Sequence, residues 1–209
     1  MYKLGYLDDE INNRTTFERN FGDSFDLRVF NNLNEVQSLA ELLDKVNADE
    51  LDALAIDYQL SGKGSIQYNG NEVVEYFAKN KKYFPIFIVT SYLDNAIDDI
   101  YDVYIVNDKE KVENKDYREN LIDKVKKSIE SYRRRIIDIE DKANCLEKKQ
   151  RSMEGLSPKE EKELLDLHLD LNAIDPKANP VSAEQLETSY IRGLKDLVKN
   201  SREMLNKLS

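Results

Sequence analysis

Four polar side chains stand where apolar runs stop. Asp8 and Asp9 follow Lys3-Leu4-Gly5-Tyr6-Leu7, Asp57 follows Leu51-Asp52-Ala53-Leu54-Ala55-Ile56, and Thr90 follows Pro85-Ile86-Phe87-Ile88-Val89. If these runs are strands of one parallel sheet, their ends share one edge and the three acids meet there. Carboxylates within about 4–6 Å oppose one another's ionisation. A divalent cation resolves that conflict. An all-oxygen set suits Mg2+, which takes few carboxylates and keeps several waters. Asp8, Asp9 and Asp57 are the expected metal ligands.

Alternating strand and helix signals supply the elements that would bring these residues together. After the first strand, Ile11 to Phe21 is polar with apolar residues at Ile11, Phe17 and Phe21. Leu27-Arg28-Val29-Phe30 reads as a short strand. Asn34, with Gln37 three residues on, is expected to cap a helix through Val36, Leu39, Leu42, Leu43 and Val46. Asn69 and Glu72 open another through Val73, Val74, Tyr76 and Phe77. Ser91 and Asp94 are expected to cap a short fourth helix, and Val103-Tyr104-Ile105-Val106 is expected to be the fifth strand. Five such repeats predict an α/β fold with helices on both faces of a parallel sheet. Right-handed crossovers leave few topologies. In the flavodoxin-like, doubly wound order 2-1-3-4-5, strands 1 and 3 flank the switch point where ligands bind.

The rest of the chain reads as an all-α extension. The expected division is residues 1–114 and 115–209, the latter with helices over 115–154, 158–173 and 183–207. Ile122, Val125, Ile129, Tyr132, Ile136, Ile139, Ala143, Leu146, Gln150 and Met153 recur at steps of three and four, a coiled-coil seam. At 1.5 Å per residue such a helix is about 60 Å long. Its seam needs a cover, from the last two helices, a second copy or another partner. Ser157-Pro158-Lys159-Glu160 and Ser182-Ala183-Glu184-Gln185 are capping boxes that would start those helices.

Composition narrows the function classes. Hydrophobic residues make up 40% of the 209 and charged residues 34%, the balance of a water-soluble protein. No apolar run approaches the ~20 residues of a membrane span. The first strand begins at the N-terminus with no signal-peptide pattern. Cys145 is the one cysteine, which excludes an internal disulfide and fits a reducing cytoplasm. Residues 1–115 carry the acidic surplus, 12 basic against 22 acidic side chains, and residues 116–209 balance at 19 of each. Neither half has a basic nucleic-acid footprint, so nucleic acid is not an expected partner. Arg133-Arg134-Arg135 reads as a solvated helix face balanced by nearby acids.

These residues resemble a response-regulator receiver domain over roughly Tyr2 to Asn114. The resemblance rests on Leu7-Asp8-Asp9-Glu10, on Ala55-Ile56-Asp57-Tyr58, on Asn69-Gly70-Asn71-Glu72, and on Pro85 through Thr90-Ser91. It implies that Asp57 is the phosphoacceptor, a carboxylate nucleophile. It implies Mg2+ held by Asp9 and Asp57, by Asp8 partly through water, and by the backbone carbonyl of Gln59. Thr90 would hydrogen-bond the phosphoryl group, and Tyr104 would be the aromatic switch. The implied partners are a histidine kinase and a downstream protein effector, with a homodimer through the long helix as a further option.

The chain departs from the family pattern in two places. Receivers carry a lysine, usually followed by proline, just after the fifth strand; here Asn107-Asp108-Lys109 follows with no proline, so either Lys109 or Lys111 reaches the site through a remodelled loop, or Asn107 replaces the lysine and none completes it. The segment from Tyr58 to Tyr68 is long, with two glycines and Lys63. A rival reading follows: a phosphorylation-independent pseudo-receiver that acts as a docking or oligomerisation module. A haloacid-dehalogenase-type phosphatase would want an Asp-x-Asp pair on the first strand, which Leu7-Asp8-Asp9-Glu10 does not supply. His168, in Leu167-His168-Leu169-Asp170, lacks the surroundings of a phosphorelay histidine.

Overall fold

The computed structural model describes residues 1–60, 66–152, 154–180 and 197–198. The chain divides into two compact units, Met1–Arg133 and Arg134–Ser209. Among the described residues of the first, five parallel strands form one sheet in the order β2-β1-β3-β4-β5. They are β1 (Lys3–Leu7), β2 (Asp26–Val29), β3 (Ala53–Ile56), β4 (Ile86–Thr90) and β5 (Val106–Asp108). The helices of this unit are α1 (Ile11–Phe21), α2 (Leu39–Ala48), α3 (Gly70–Asn80), α4 (Leu93–Asp99) and the first half of α5 (Lys115–Gln150). This is the flavodoxin-like, doubly wound arrangement.

Strand residues alternate between two cores, as the two-residue period of a strand requires. Leu54, Ile56, Ile86 and Ile88 face Leu42 and Val46 of α2 and Val73 and Phe77 of α3. Ala53, Ala55, Phe87 and Val89 face Phe17 and Phe21 of α1 and Leu121, Val125 and Ile129 of α5. Burial on both faces explains why these strands read as near-continuous apolar runs. α5 is further fixed at the start of the sheet by an Arg133–Asp52 ion pair of 2.6 Å, with the Arg133 guanidinium over the Tyr2 ring.

Three local expectations are corrected. Asn34 does not cap α2. Asn32 accepts from the Asn34 N–H to make a separate 3-10 turn at Leu33–Glu35. Ser38 and Glu41 then form the reciprocal capping box that starts α2. Ser91 does not cap α4, whose N-cap is Tyr92, its N–H bonded to Thr90 Oγ1 at 3.1 Å. The fifth strand begins later than expected. Asp102 accepts from the Tyr104 N–H at 3.1 Å, which winds Val103–Ile105 into a 3-10 turn and leaves only Val106–Asp108 in the ladder.

In the second unit, α6 (Pro158–Ile174) starts at a capping box of Ser157 and Glu160 with Pro158 at its first position. It runs back along the end of α5, joined by Lys149–Glu160 at 2.6 Å and His168–Glu147 at 3.0 Å. Ile139 and Ala143 of the seam are buried here, with Leu164, Leu171 and Ile174. Of the helix expected over 183–207 only residues 197–198, which are helical, are described; the rest of it, and Lys63 with its glycine neighbours, lie outside the described residues. Among the described residues, no helix is long and apolar enough to cross a membrane.

Candidate functional site

The parallel register builds the site. Leu7 pairs with Ile56, and the Asp57 N–H continues the ladder to the Leu7 carbonyl at 2.9 Å. The next residues, Asp8 and Asp57, therefore leave adjacent strands side by side. Oxygens of Asp8, Asp9 and Asp57 all lie within 4.8 Å of one another. Asp8 is fully buried, Asp57 is 6% exposed, and Thr90, at the end of the neighbouring β4, is fully buried.

Lys109 enters this cluster. Thr90 pairs with Asp108, and the Lys109 N–H bonds the Thr90 carbonyl at 3.0 Å, so the last ladder bond reaches Lys109 just as its backbone turns helical into the 3-10 turn Glu110–Glu113. The Lys109 ammonium lies 2.8 Å from Asp8 Oδ2 and 2.7 Å from Asp57 Oδ2. Lys111 instead pairs with Asp108 on the surface at 3.1 Å. Asn107, where the family pattern puts a lysine, is buried and serves another purpose. Its amide donates to the carbonyls of Ile88 and Ile105 and accepts from Lys124 of α5.

Asp8 has its acceptor positions filled. Oδ1 accepts from the Glu10 N–H at 2.9 Å and Asn13 Nδ2 at 3.2 Å; Oδ2 accepts from the Tyr6 hydroxyl at 2.7 Å and from Lys109. Arg14, buried on α1, donates to the Asp8 backbone carbonyl at 2.7 Å. Asp57 Oδ1 accepts from the Tyr58 N–H at 2.8 Å. Asp9 is half-buried. Gln59 is exposed in the loop after Asp57, next to Leu60, whose N–H is held by Asn69 Oδ1 at 3.0 Å.

Electrostatically the three carboxylates outnumber the cations beside them, Lys109 and the buried Arg14. Burial raises the Asp57 carboxyl pKa, against the pull of Lys109, with Asp8 adding to the rise and Thr90 opposing it. Burial also raises Asp9, followed by Asp8 and Asp57 as like charges. For Lys109 burial works against the ammonium, but Asp57 and Asp8 together outweigh it and hold the pKa above its ordinary value. These directions agree physically: one ammonium serves two anions, while three anions share one ammonium. An oxygen-only cluster with that deficit fits a hard divalent cation.

Tyr104, the expected switch residue, is 81% exposed in its 3-10 turn. The sequence reading missed Tyr6, Asn13 and Arg14. A strand period of two puts Tyr6 on the same side as Asp8, and Arg14 lies in register with Phe17 and Phe21 on the buried side of α1. Gly70 opens α3 and also borders the site. A Cβ there would come within 2.7 Å of the Asp57 carbonyl oxygen and 2.9 Å of the Tyr58 Cα.

No protein-family model and no curated protein matches this chain. Among solved structures, one similar chain is the RcsB response regulator of Salmonella typhimurium, 16% identical, covering 86% of this chain and 84% of that one with a TM-score of 0.45. That protein is described for its conformational dynamism in DNA interaction. At that identity and score the likeness adds nothing to the strand order and the site geometry, which stand on their own.

Proposed function

We propose that this chain is a response regulator of two-component signalling, with Asp57 the phosphoacceptor. The observation that carries the reading is the convergence of Asp8, Asp9 and Asp57 within 4.8 Å, with Lys109 bridging Asp8 and Asp57. An Asp57 oxygen attacks the phosphorus of a kinase phosphohistidine. The O–P bond forms, the P–N bond breaks, and the imidazole, already protonated at its other ring nitrogen, leaves as the neutral ring. Lys109, kept ionised by its two carboxylates, then pairs with the phosphoryl oxygens, and the Thr90 hydroxyl donates to one of them. Asp9, Asp57 and the Gln59 carbonyl would hold Mg2+ directly. Asp8, with two donors already on each oxygen, would act through water. When bound, Mg2+ neutralises the site so that a phosphoryl anion can approach it.

The rival reading, a docking module that is never phosphorylated, drew on the missing lysine at Asn107. Lys109 supplies the cation from two residues further on, which favours phosphoryl chemistry. The kinase is a cytoplasmic partner in this reading, and the helical C-terminal half meets a protein effector. Val125, Ile129, Ile139 and Ala143 of the seam are buried within the chain, so a homodimer through α5 is not needed to cover these four. Incubation with phosphoramidate and Mg2+ tests the proposal by intact mass. The wild type should gain one phosphoryl group, and Asp57→Asn should gain none. A wild type that stays unmodified with Mg2+ present sinks the reading.

A further inference from the structure

Tyr58 makes two contacts that join Asp57 to a distant helix. Its N–H donates to Asp57 Oδ1 at 2.8 Å, and its hydroxyl donates to Asp99, the last residue of α4. The bond to Asp99 first, and burial second, raise the hydroxyl pKa to about 12, so Tyr58 stays a donor at neutral pH. α4 itself is thinly anchored. It has seven residues, of which only Ala96 is buried. Helices with few buried contacts are drawn from the low-stability end of a fold. Just beyond it Ile100 is buried in the core, and the Tyr58–Asp99 hydrogen bond is a second hold on this end of the helix.

The geometry points to Tyr58 as a positioning residue that couples the Asp57 carboxylate to α4. Asp57 has two oxygens: Oδ2 is taken by Lys109 and Oδ1 by the Tyr58 N–H. Cation ligation or phosphorylation at Asp57 must redistribute these bonds. If Oδ1 releases the Tyr58 N–H, the 57–58 peptide turns and carries the ring and its Asp99 partner with it. Binding coupling is reciprocal, so anything that moves α4 acts back on Asp57. The physiological trigger rests on the phosphoacceptor reading; the contact itself does not.

The test uses the full chain, 15N-labelled, titrated with Mg2+ and then with beryllofluoride, a phosphoryl mimic. Tyr58→Phe and Asp99→Ala remove the bond and leave Asp8, Asp9, Asp57 and Lys109 in place. Asp98→Ala removes the same charge one residue away. The wild type and Asp98→Ala should shift the amide signals of residues 93–99 along with those of 57–60. In Tyr58→Phe and Asp99→Ala, Mg2+ should bind within about twofold of the wild-type affinity, while the shifts at 93–99 should fall below about half. Undiminished shifts in those two variants, or an equal loss in Asp98→Ala, overturn the coupling. A wild type that takes Mg2+ but no beryllofluoride overturns the phosphoacceptor reading instead, and the Mg2+ arm then decides the coupling alone. A wild type in which neither ligand moves 93–99 overturns the coupling outright.

Discussion

Lys109 Nζ lies 2.7 Å from Asp57 Oδ2 and 2.8 Å from Asp8 Oδ2, bridging the ends of two adjacent strands. The Lys109 side chain is 17% exposed, and the Asp8 side chain is fully buried. Removing the ammonium therefore strands two anions in a low-dielectric site. Lys109→Met should cost about 3–5 kcal/mol, the usual loss when one partner of a buried pair is deleted. Urea unfolding without divalent cation measures it. Added Mg2+ should recover part of the loss, because it restores positive charge to the same carboxylates.

The pH dependence follows from the raised pKa values of Asp57 and Asp9. A carboxyl whose folded pKa exceeds its unfolded value favours the native state when protonated. Its contribution is present below the unfolded value, near 3.9, and is lost as pH rises through the folded one. In metal-free protein, Asp57→Asn should then be more stable than the wild type at neutral pH. The gap should close as pH falls below about 4. Thermal melts across pH check this, and Mg2+ should reverse the order at neutral pH by binding the wild type alone.

The strand order and the acid cluster were legible because their causes are local. Strands buried on both faces must be apolar until they leave the sheet, so Asp8, Asp57 and Thr90 mark the strand ends in the sequence itself. The fifth strand was not legible in this way. Val106-Asn107-Asp108 carries two polar residues, and the more β-prone Val103–Ile105 is captured by the Asp102 side chain. The choice of Lys109 over Lys111 depends on the ladder reaching one residue past Asp108, which no spacing rule encodes. Asn34 and Ser38 both satisfy a capping pattern; only Ser38 has a Glu three residues on to close the box.

Tyr6 fixes Asp8 from beneath. Its ring stacks on Phe17 at 3.7 Å between centroids, and its buried hydroxyl has Asp8 Oδ2 2.7 Å away. Burial first, and Asp8 second, push its pKa far above the ordinary tyrosine value, so it donates at any working pH. Tyr6→Phe keeps the stacking and deletes a hydrogen bond to a charged group, a loss of about 1.5–3 kcal/mol. A double-mutant cycle with Asp8→Asn isolates that bond. The cost of Tyr6→Phe should shrink when Asp8 is already neutral, and an unchanged cost would show that the ring, not the hydroxyl, is what matters.

Gly70 links the start of α3 to the acceptor loop. Its N–H bonds the Tyr58 carbonyl at 2.8 Å, and its missing Cβ leaves room for the backbone of Asp57 and Tyr58. Alanine usually favours a helix over glycine. Here the added carbon would meet backbone at 2.7 and 2.9 Å, and backbone cannot swing aside as a long side chain can. Gly70→Ala should therefore destabilise by about 1–3 kcal/mol. It should also displace the Asp57 carboxylate and weaken Mg2+ binding about tenfold, as loss of a group supporting a ligand does. Gly22→Ala is the control. Its Cβ would meet the Glu18 carbonyl oxygen, also at 2.7 Å, but at the end of α1. That variant should lose stability and bind Mg2+ like the wild type; equal Mg2+ affinities in both would separate Gly70 from the geometry of the site.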